Sequence, residues 1–240
     1  MSDQTTSGGG DPVLPTGPEK TARVRAMFDT IAPRYDLVNR LMTGGLDQGW
    51  RRTTMTALAL PKGSVVLDLA CGTGDFSRLG RRRGFHMVGA DLSAGMLAAN
   101  GEPIPLVEAD GSALPFAARS FDGVVCGYAL RNFTDLGVTL GETARILRPG
   151  GRLAVLEVDA PTSPVLRAGY DLWFNRAVPL LGAALSDRQA YQYLPRSVAY
   201  LPPSAELRRL LLASGYSAVG IRPLAGGLSQ LVVATRAGLR

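Results

Sequence analysis

Val65-Val66-Leu67-Asp68-Leu69-Ala70-Cys71-Gly72-Thr73-Gly74-Asp75-Phe76-Ser77 is the stretch on which the fold turns. An apolar run rich in β-branched and aliphatic residues, bounded by glycine, reads as a buried parallel strand. A tight Gly-Thr-Gly turn follows, and then a helical stretch. The two glycines let the backbone pass close to a ligand that a Cβ would obstruct. The helix after them offers unpaired N–H groups and the positive end of its dipole.

Such a turn serves more than one kind of nucleotide. A dinucleotide site uses G-x-G-x-x-G, whose third glycine packs the helix on the strand. Here that place is taken by Ser77, so the pattern is incomplete and a dehydrogenase is disfavoured. Asp68 stands four residues before Gly72, where an acid can meet a cationic or amine-bearing ligand.

Downstream, strands and helices alternate. Phe85–Asp91 is a second strand ending in Asp91, an acid placed to accept both hydroxyls of a ribose. Leu92 follows it, and Ser93 is an N-cap for the next helix. Ile104–Glu108 is a short third strand that leads into Asp110-Gly111, where an acid can accept from an adenine amine. Phe121–Tyr128 is the fourth strand and Arg152–Val158 the fifth. Between them a helix over 137–148 is stopped at Arg148-Pro149-Gly150-Gly151. Ala205–Ser214 is a further helix. Tyr216–Arg222 and Ser229–Arg236, joined by Gly226-Gly227, form a hairpin. The sum is an α/β, doubly wound, mostly parallel seven-stranded sheet with a reversed C-terminal strand. Ligands of such sheets sit at the carboxyl ends of the strands. Gly72, Asp91, Asp110 and the segment after Tyr128 all fall there.

Upstream, residues 1–19 are poor in apolar side chains and read as a disordered leader. From Lys20 to Leu60 apolar residues recur at helical spacing, with breaks at Pro33 and Gly44-Gly45, which predicts a helical cap over the site. Residues 61–240 then make the nucleotide-binding domain, with an apolar helical insertion over about 163–200.

The chain has 240 residues, 46% hydrophobic and 19% charged, enough for one domain with a full core. No run is long enough to span a bilayer and no secretory signal is present, so a cytoplasmic protein is expected. The net charge of +6 comes from 26 Lys and Arg against 20 Asp and Glu, and the basic residues are scattered. The one tight cluster, Arg81-Arg82-Arg83, falls at a helix end where it complements the dipole, so no nucleic-acid partner is expected. Cys71 and Cys126 do not make a disulfide framework. Together with His86, the only histidine, they lack the spacing of metal ligands.

Several segments resemble the ubiquinone/menaquinone biosynthesis C-methyltransferase family. They are Met27-Phe28-Asp29-Thr30-Ile31-Ala32-Pro33-Arg34-Tyr35-Asp36 with Asn39, then Trp50-Arg51-Arg52, Leu130-Arg131-Asn132-Phe133-Thr134-Asp135, Leu147-Arg148-Pro149-Gly150-Gly151, Leu156-Glu157, and Tyr191-Gln192-Tyr193-Leu194-Pro195-Arg196-Ser197. Asp68-Leu69-Ala70-Cys71-Gly72-Thr73-Gly74 is similar to the first motif of S-adenosylmethionine-dependent methyltransferases. The resemblance covers about residues 22–236. It implies a class I, Rossmann-like methyltransferase that moves a methyl group from S-adenosyl-L-methionine to a ring carbon of a prenylated quinol. The implied substrate is demethylmenaquinol or, less simply, a ubiquinone precursor. By position it implies cofactor contacts at Thr73, Asp91, Asp110, Gly111 and Gly127, beside Asp68, Gly72, Gly74 and Leu92 of the strand-tip reading. The family usually carries Ser-Phe-Gly where this chain has Gly127-Tyr128-Ala129, so one hydroxyl near the cofactor is missing.

Methyl transfer to carbon needs alignment in a dry site and a ring oxygen that gives up its proton. Phenols titrate near 10. Arg131 is therefore expected to hydrogen-bond and ionise the oxygen, Asn132 to orient the ring, and Tyr35 to close over the methyl. The proton acceptor is water beside Arg131, or Tyr35, Asp36 or Glu157. Arg131 as a structural ion-pair partner is the plainer alternative. The apolar stretch Tyr170–Leu185 reads either as core packing or a homodimer face, or as a prenyl groove reached from the inner face of a membrane. Two other functions stand beside this one: methylation of another phenolic natural product, and a non-catalytic S-adenosylmethionine-binding protein.

Overall fold

Seven strands form one sheet in the order β3-β2-β1-β4-β5-β7-β6. The computed structural model describes residues 16–161, 163–164, 167–169 and 197–238, and elements are numbered over these. The strands are β1 (Val65–Leu69), β2 (His86–Asp91), β3 (Leu106–Glu108), β4 (Phe121–Gly127), β5 (Leu147–Val158), β6 (Tyr216–Leu224) and β7 (Ser229–Arg236). The first five pair in parallel, and β7 runs antiparallel to both β5 and β6. The expected doubly wound sheet with its reversed last strand is the one observed.

Alternation along the strands builds two cores. Leu67, Leu69, Val124, Cys126, Leu153 and Val155 point to one face, under α6 (Leu136–Ile146) and α7 (Ser204–Ala213). Val66, Val125, Ala154 and Leu156 point to the other, where Met55 of α3 (Leu46–Ala57) and Phe76 of α4 (Asp75–Arg82) cover them. Both faces are buried, hence the near-continuous apolar runs that mark these strands in the sequence. The chain leaves β1 outward to β2 and β3, then returns to add β4 on the other side. That reversal opens a crevice at the carboxyl ends of β1 and β4.

Before the sheet come α1 (Gly17–Ile31), a 3-10 turn over Ala32–Arg34, α2 (Tyr35–Thr43) and α3. The bend falls at Pro33 and the break at Gly44-Gly45, as their chemistry requires. The helix begins three residues earlier than expected, at Gly17, because Pro18 suits a first helical turn. Ser93 caps α5 (Ala94–Ala99) by accepting from the Met96 N–H at 3.0 Å, and Asp135 caps α6 through Val138 at 2.9 Å. Strand β5 starts at Leu147, so the Pro-Gly stop lies inside it as an irregularity where the pairing with β4 shifts register. Cys71 and Cys126 are buried free thiols.

Among the described residues no helix is long and apolar enough to cross a membrane. Most of the leader, Tyr170–Leu185 and Tyr191–Arg196 lie outside the described residues, and with them the segments from which a dimer face or prenyl groove was read.

Candidate functional site

A cleft of about 910 Å³, counting its mouth, opens at the carboxyl ends of β1, β2 and β4. Its floor is the segment Leu69–Thr73, its far wall Asp91–Ser93 and Ala109–Gly111, and its near wall Gly127–Ala129 with Asn132–Thr134. Thr21, Val24, Arg25 and Phe28 of α1 close it from above, with Tyr35 and Arg51 from the following helices.

The position of α1 over the cleft follows from polar ties on both sides. Lys20 Nζ donates to the Phe133 carbonyl at 2.8 Å, and Thr21 and Thr134 share a hydroxyl contact of 2.7 Å. Arg25 pairs with Glu108 at the tip of β3. Asp29 accepts from Ser93 Oγ at 2.6 Å and from the Gly95 N–H at 2.9 Å, which holds its carboxyl below the usual range. Asp36 accepts from Thr73 Oγ1 at 2.5 Å.

Most residues singled out in the sequence meet here. Gly72 has φ +51°, and its N–H donates to Asp91 Oδ2 at 2.8 Å while the Ser93 N–H donates to Oδ1 at 2.9 Å. Burial pushes the Asp91 carboxyl above its ordinary value, and these backbone donors oppose that. Asp110 accepts from Ser112 N and Oγ, both at 2.8 Å, an Asx turn that fixes its carboxylate in the wall. Thr73, Leu92, Gly111, Gly127 and Asn132 also line the cleft. Tyr35 stacks edge-on against Phe28, ring centroids 5.9 Å apart, and burial raises its hydroxyl pKa.

Three expectations need correction. Asp68 does not reach the cleft wall. It is fully buried under α4, where its Oδ2 accepts from Ser77 Oγ at 2.7 Å, and burial pushes its pKa up to about 7. The residue that spoils the third-glycine pattern is thus the partner that ties α4 to β1. Gly74 stands behind the wall as the N-cap of α4, with φ +93° and the Asn100 side chain against it.

Arg131 is the third. It is not among the residues that line the cleft; its guanidinium pairs with the fully buried Glu157 and donates to the Tyr128 carbonyl at 2.8 Å and Ser197 Oγ at 3.0 Å. The pair is buried beside β5, and neither side chain is part of the cleft lining. Glu157 lies in that buried pair and not in the cleft lining, and His86 sits exposed at the far end of β2.

Among the described residues two cations line the cleft, Arg25 and Arg51, and to Arg51 the sequence assigned no role. It is buried, with its Nε 3.4 Å from Asp47 and 3.3 Å from Asp75, and lies 5.2 and 5.5 Å from the Phe76 and Tyr128 ring centres. The spacing Asp47…Arg51 on one helix was the available signal. Phe133 and Met96 complete the apolar wall.

The departure at Gly127 has a steric reason. A Cβ there would stand 2.6 Å from the Phe76 ring, so this chain fills with an aromatic edge the space a serine would need.

A family model described as the ubiE/COQ5 methyltransferase family matches residues 17–238. Curated relatives called demethylmenaquinone methyltransferase are 40% identical over 220 residues in Corynebacterium kroppenstedtii (91% of this chain, 96% of that one) and 43% identical over 202 residues in Thermus thermophilus (80% and 91%). Among solved structures, the [4+2]-cyclase SpnF superposes with a TM-score of 0.66 at 14% identity, covering 93% of this chain and 98% of that one. The putative methyltransferase bound to the Haloferax volcanii Trm112 activator gives 0.63 at 19%, covering 88% and 98%. Likenesses this distant speak for the fold alone.

Proposed function

We propose, since the chain belongs to the ubiE/COQ5 methyltransferase family, that it transfers a methyl group from S-adenosylmethionine to a ring carbon of a prenylated quinol, demethylmenaquinol in the making of menaquinone. The observation that carries this reading is the extent of the likeness. The relative of that name in Corynebacterium kroppenstedtii aligns over 96% of its own length at 40% identity, and the family model runs over residues 17–238, cap included.

The cleft suits such a cofactor. Asp75, Asp91 and Asp110 in its wall outnumber Arg25 and Arg51, which favours a ligand with surplus positive charge. A Cβ on Gly111 would come within 2.9 Å of the Phe133 ring, so the space beside it stays clear only for a glycine. In this reading Asp91 accepts from the ribose hydroxyls and Asp110 from the adenine amine. Leu92 and Phe133 offer apolar faces to the base, and Gly72 and Thr73 bring backbone close to the amino-acid end.

The cofactor supplies an already electrophilic methyl, so the protein's work is alignment and exclusion of water. Tyr35 and Asn132, on opposite walls, orient the acceptor ring. Burial keeps the Tyr35 hydroxyl protonated and able to donate. A hydrogen bond from it to the quinol oxygen favours release of that oxygen's proton to water. After the ring carbon takes the methyl, the hydrogen on that carbon leaves as a proton and the oxygen regains one, which restores the aromatic ring. Arg131 and Glu157 act one layer out, as a pair that fixes the segment carrying Asn132. For the prenyl tail, the half-exposed Leu37 of α2 and Leu46 of α3 offer a peripheral contact with a bilayer.

The test is the quinone pool. Deleting the gene should replace menaquinone by a species lighter by one methylene, and purified protein with S-adenosylmethionine should convert that species back. An unchanged pool would refute the substrate, and conversion of a tail-less phenol in its place would move the activity to another aromatic.

A further inference from the structure

The cleft's two ends differ in charge chemistry. At the tips of β2 and β3 stand Asp91 and Asp110, acceptors suited to hydroxyl and amine donors. At the β1–β4 side stand Arg51, Asp75 and Gly127, where both signs of charge meet. A nucleoside held at the first end directs its attached amino acid toward the second.

We propose that Arg51 recognises the carboxylate of the cofactor's amino-acid end, and that Asp75 faces the ammonium of the same zwitterion. This rests on the methyltransferase reading above and extends it to a residue outside the strand tips. The geometry is that of a prepared site. Among the described residues the one hydrogen bond made by the Arg51 side chain runs from Nε to Asp47. Asp75 approaches the same nitrogen at 3.3 Å. The two terminal NH₂ groups are therefore not spent on these acids. One of them, Nη1, lies 3.3 Å from where a Cβ on Gly127 would stand, so the glycine leaves open the space in front of it.

Phe76 and Tyr128 flank the guanidinium, which limits its rotation and keeps its planar fork aimed. A fork of this kind matches a carboxylate in two parallel hydrogen bonds. With Arg131 bound to Glu157, Arg51 is also the cleft's cation nearest the first turn of α4. There the Gly74 cap supplies no side chain to satisfy the N–H groups.

Calorimetric titration with two probes tests the assignment. S-adenosylhomocysteine carries the amino-acid end, and 5′-methylthioadenosine lacks it. Arg51→Met should weaken S-adenosylhomocysteine roughly ten- to a hundredfold, the scale of hydrogen bonds to a charged group. Its binding of methylthioadenosine should stay at the wild-type level, which also reports that the variant is folded. Arg51→Lys, which keeps the charge but not the fork, should fall between. It carries the test if the methionine variant does not fold.

Parallel weakening of both probes would reduce Arg51 to a structural role and overturn the proposal. Unchanged S-adenosylhomocysteine binding with a raised KM for the quinol would overturn it too, by assigning Arg51 to the substrate oxygen. If wild-type protein binds neither probe, the methyltransferase reading itself fails, a result distinct from either.

Discussion

Replacing Arg131 by methionine separates the structural role of that arginine from the catalytic one first read from the sequence. The side chain is buried and donates to Glu157, to the Tyr128 carbonyl and to Ser197 Oγ. Without it, among the described residues the Glu157 carboxylate keeps the Val158 N–H at 2.8 Å and a long contact of 3.4 Å from the Arg131 N–H. Removing one partner of a buried ion pair costs about 3–5 kcal/mol, because the other charge stays desolvated. For a chain of this size ~1 kcal/mol moves Tm by about 2–4 °C, so Arg131→Met should melt roughly 6–20 °C below wild type. The double variant Arg131→Met with Glu157→Gln removes both charges and should recover part of that loss. Thermal melts followed by circular dichroism, with S-adenosylhomocysteine binding measured below the transition, check both expectations. A single variant that melts within about 2 °C of wild type yet loses turnover would refute the reasoning and return Arg131 to the substrate.

The buried Asp68 gives a pH signature. Its carboxyl is pushed up to about 7 by burial, whereas in the unfolded chain an aspartate titrates near 3.9. Between these values the native state holds a proton the unfolded chain has released, so stability declines as pH climbs through that window and levels off above it. Asp68→Asn removes this titration. By urea unfolding the variant should gain on wild type from pH 4 to 8, up to about 4 kcal/mol, and a constant difference would refute the shift. Gly127→Ser should destabilise by about 1–3 kcal/mol through the clash with Phe76, with partial rescue by Phe76→Leu. A lone serine variant as stable as wild type would show that the ring yields freely. Wild-type protein should float with anionic liposomes, and Leu37→Ser with Leu46→Ser should reduce the floated fraction severalfold. Equal flotation of the two would exclude this face from membrane contact.

The sheet was legible because each of its strands writes its burial locally. Val65–Leu69 and Phe121–Gly127 are apolar runs that run into glycine turns, and a cap such as Ser93 acts within a few residues of itself. The acids at strand ends were legible too, since topology alone sends Asp91 and Asp110 to one rim. Errors arose where a side chain's fate depends on a partner distant in sequence. Glu157 lies 26 residues from Arg131 and claims it from the next strand. Asp68 looked like a ligand-facing acid until Ser77, nine residues on, took its oxygen. Arg51 stood within a family-like segment and four residues after Asp47, yet received no role, for the converse reason. Only the folded chain places it between Asp47, Asp75 and two aromatic rings.

The same division runs through the cleft. Its floor, formed by the glycine turn and the strand-tip acids, belongs to a fold shared with a protein named as a cyclase, so the floor alone does not decide a reaction. What distinguishes this chain lies above and beside it: α1, Tyr35, Arg51 and the Gly127–Thr134 segment. These parts are held by contacts of unequal strength. Arg25 with Glu108 is an exposed pair of the kind worth about 0–1 kcal/mol, whereas Arg131 with Glu157 is buried. The wall that carries Asn132 is therefore rigid, and the α1 edge along Arg25 is the weaker seam.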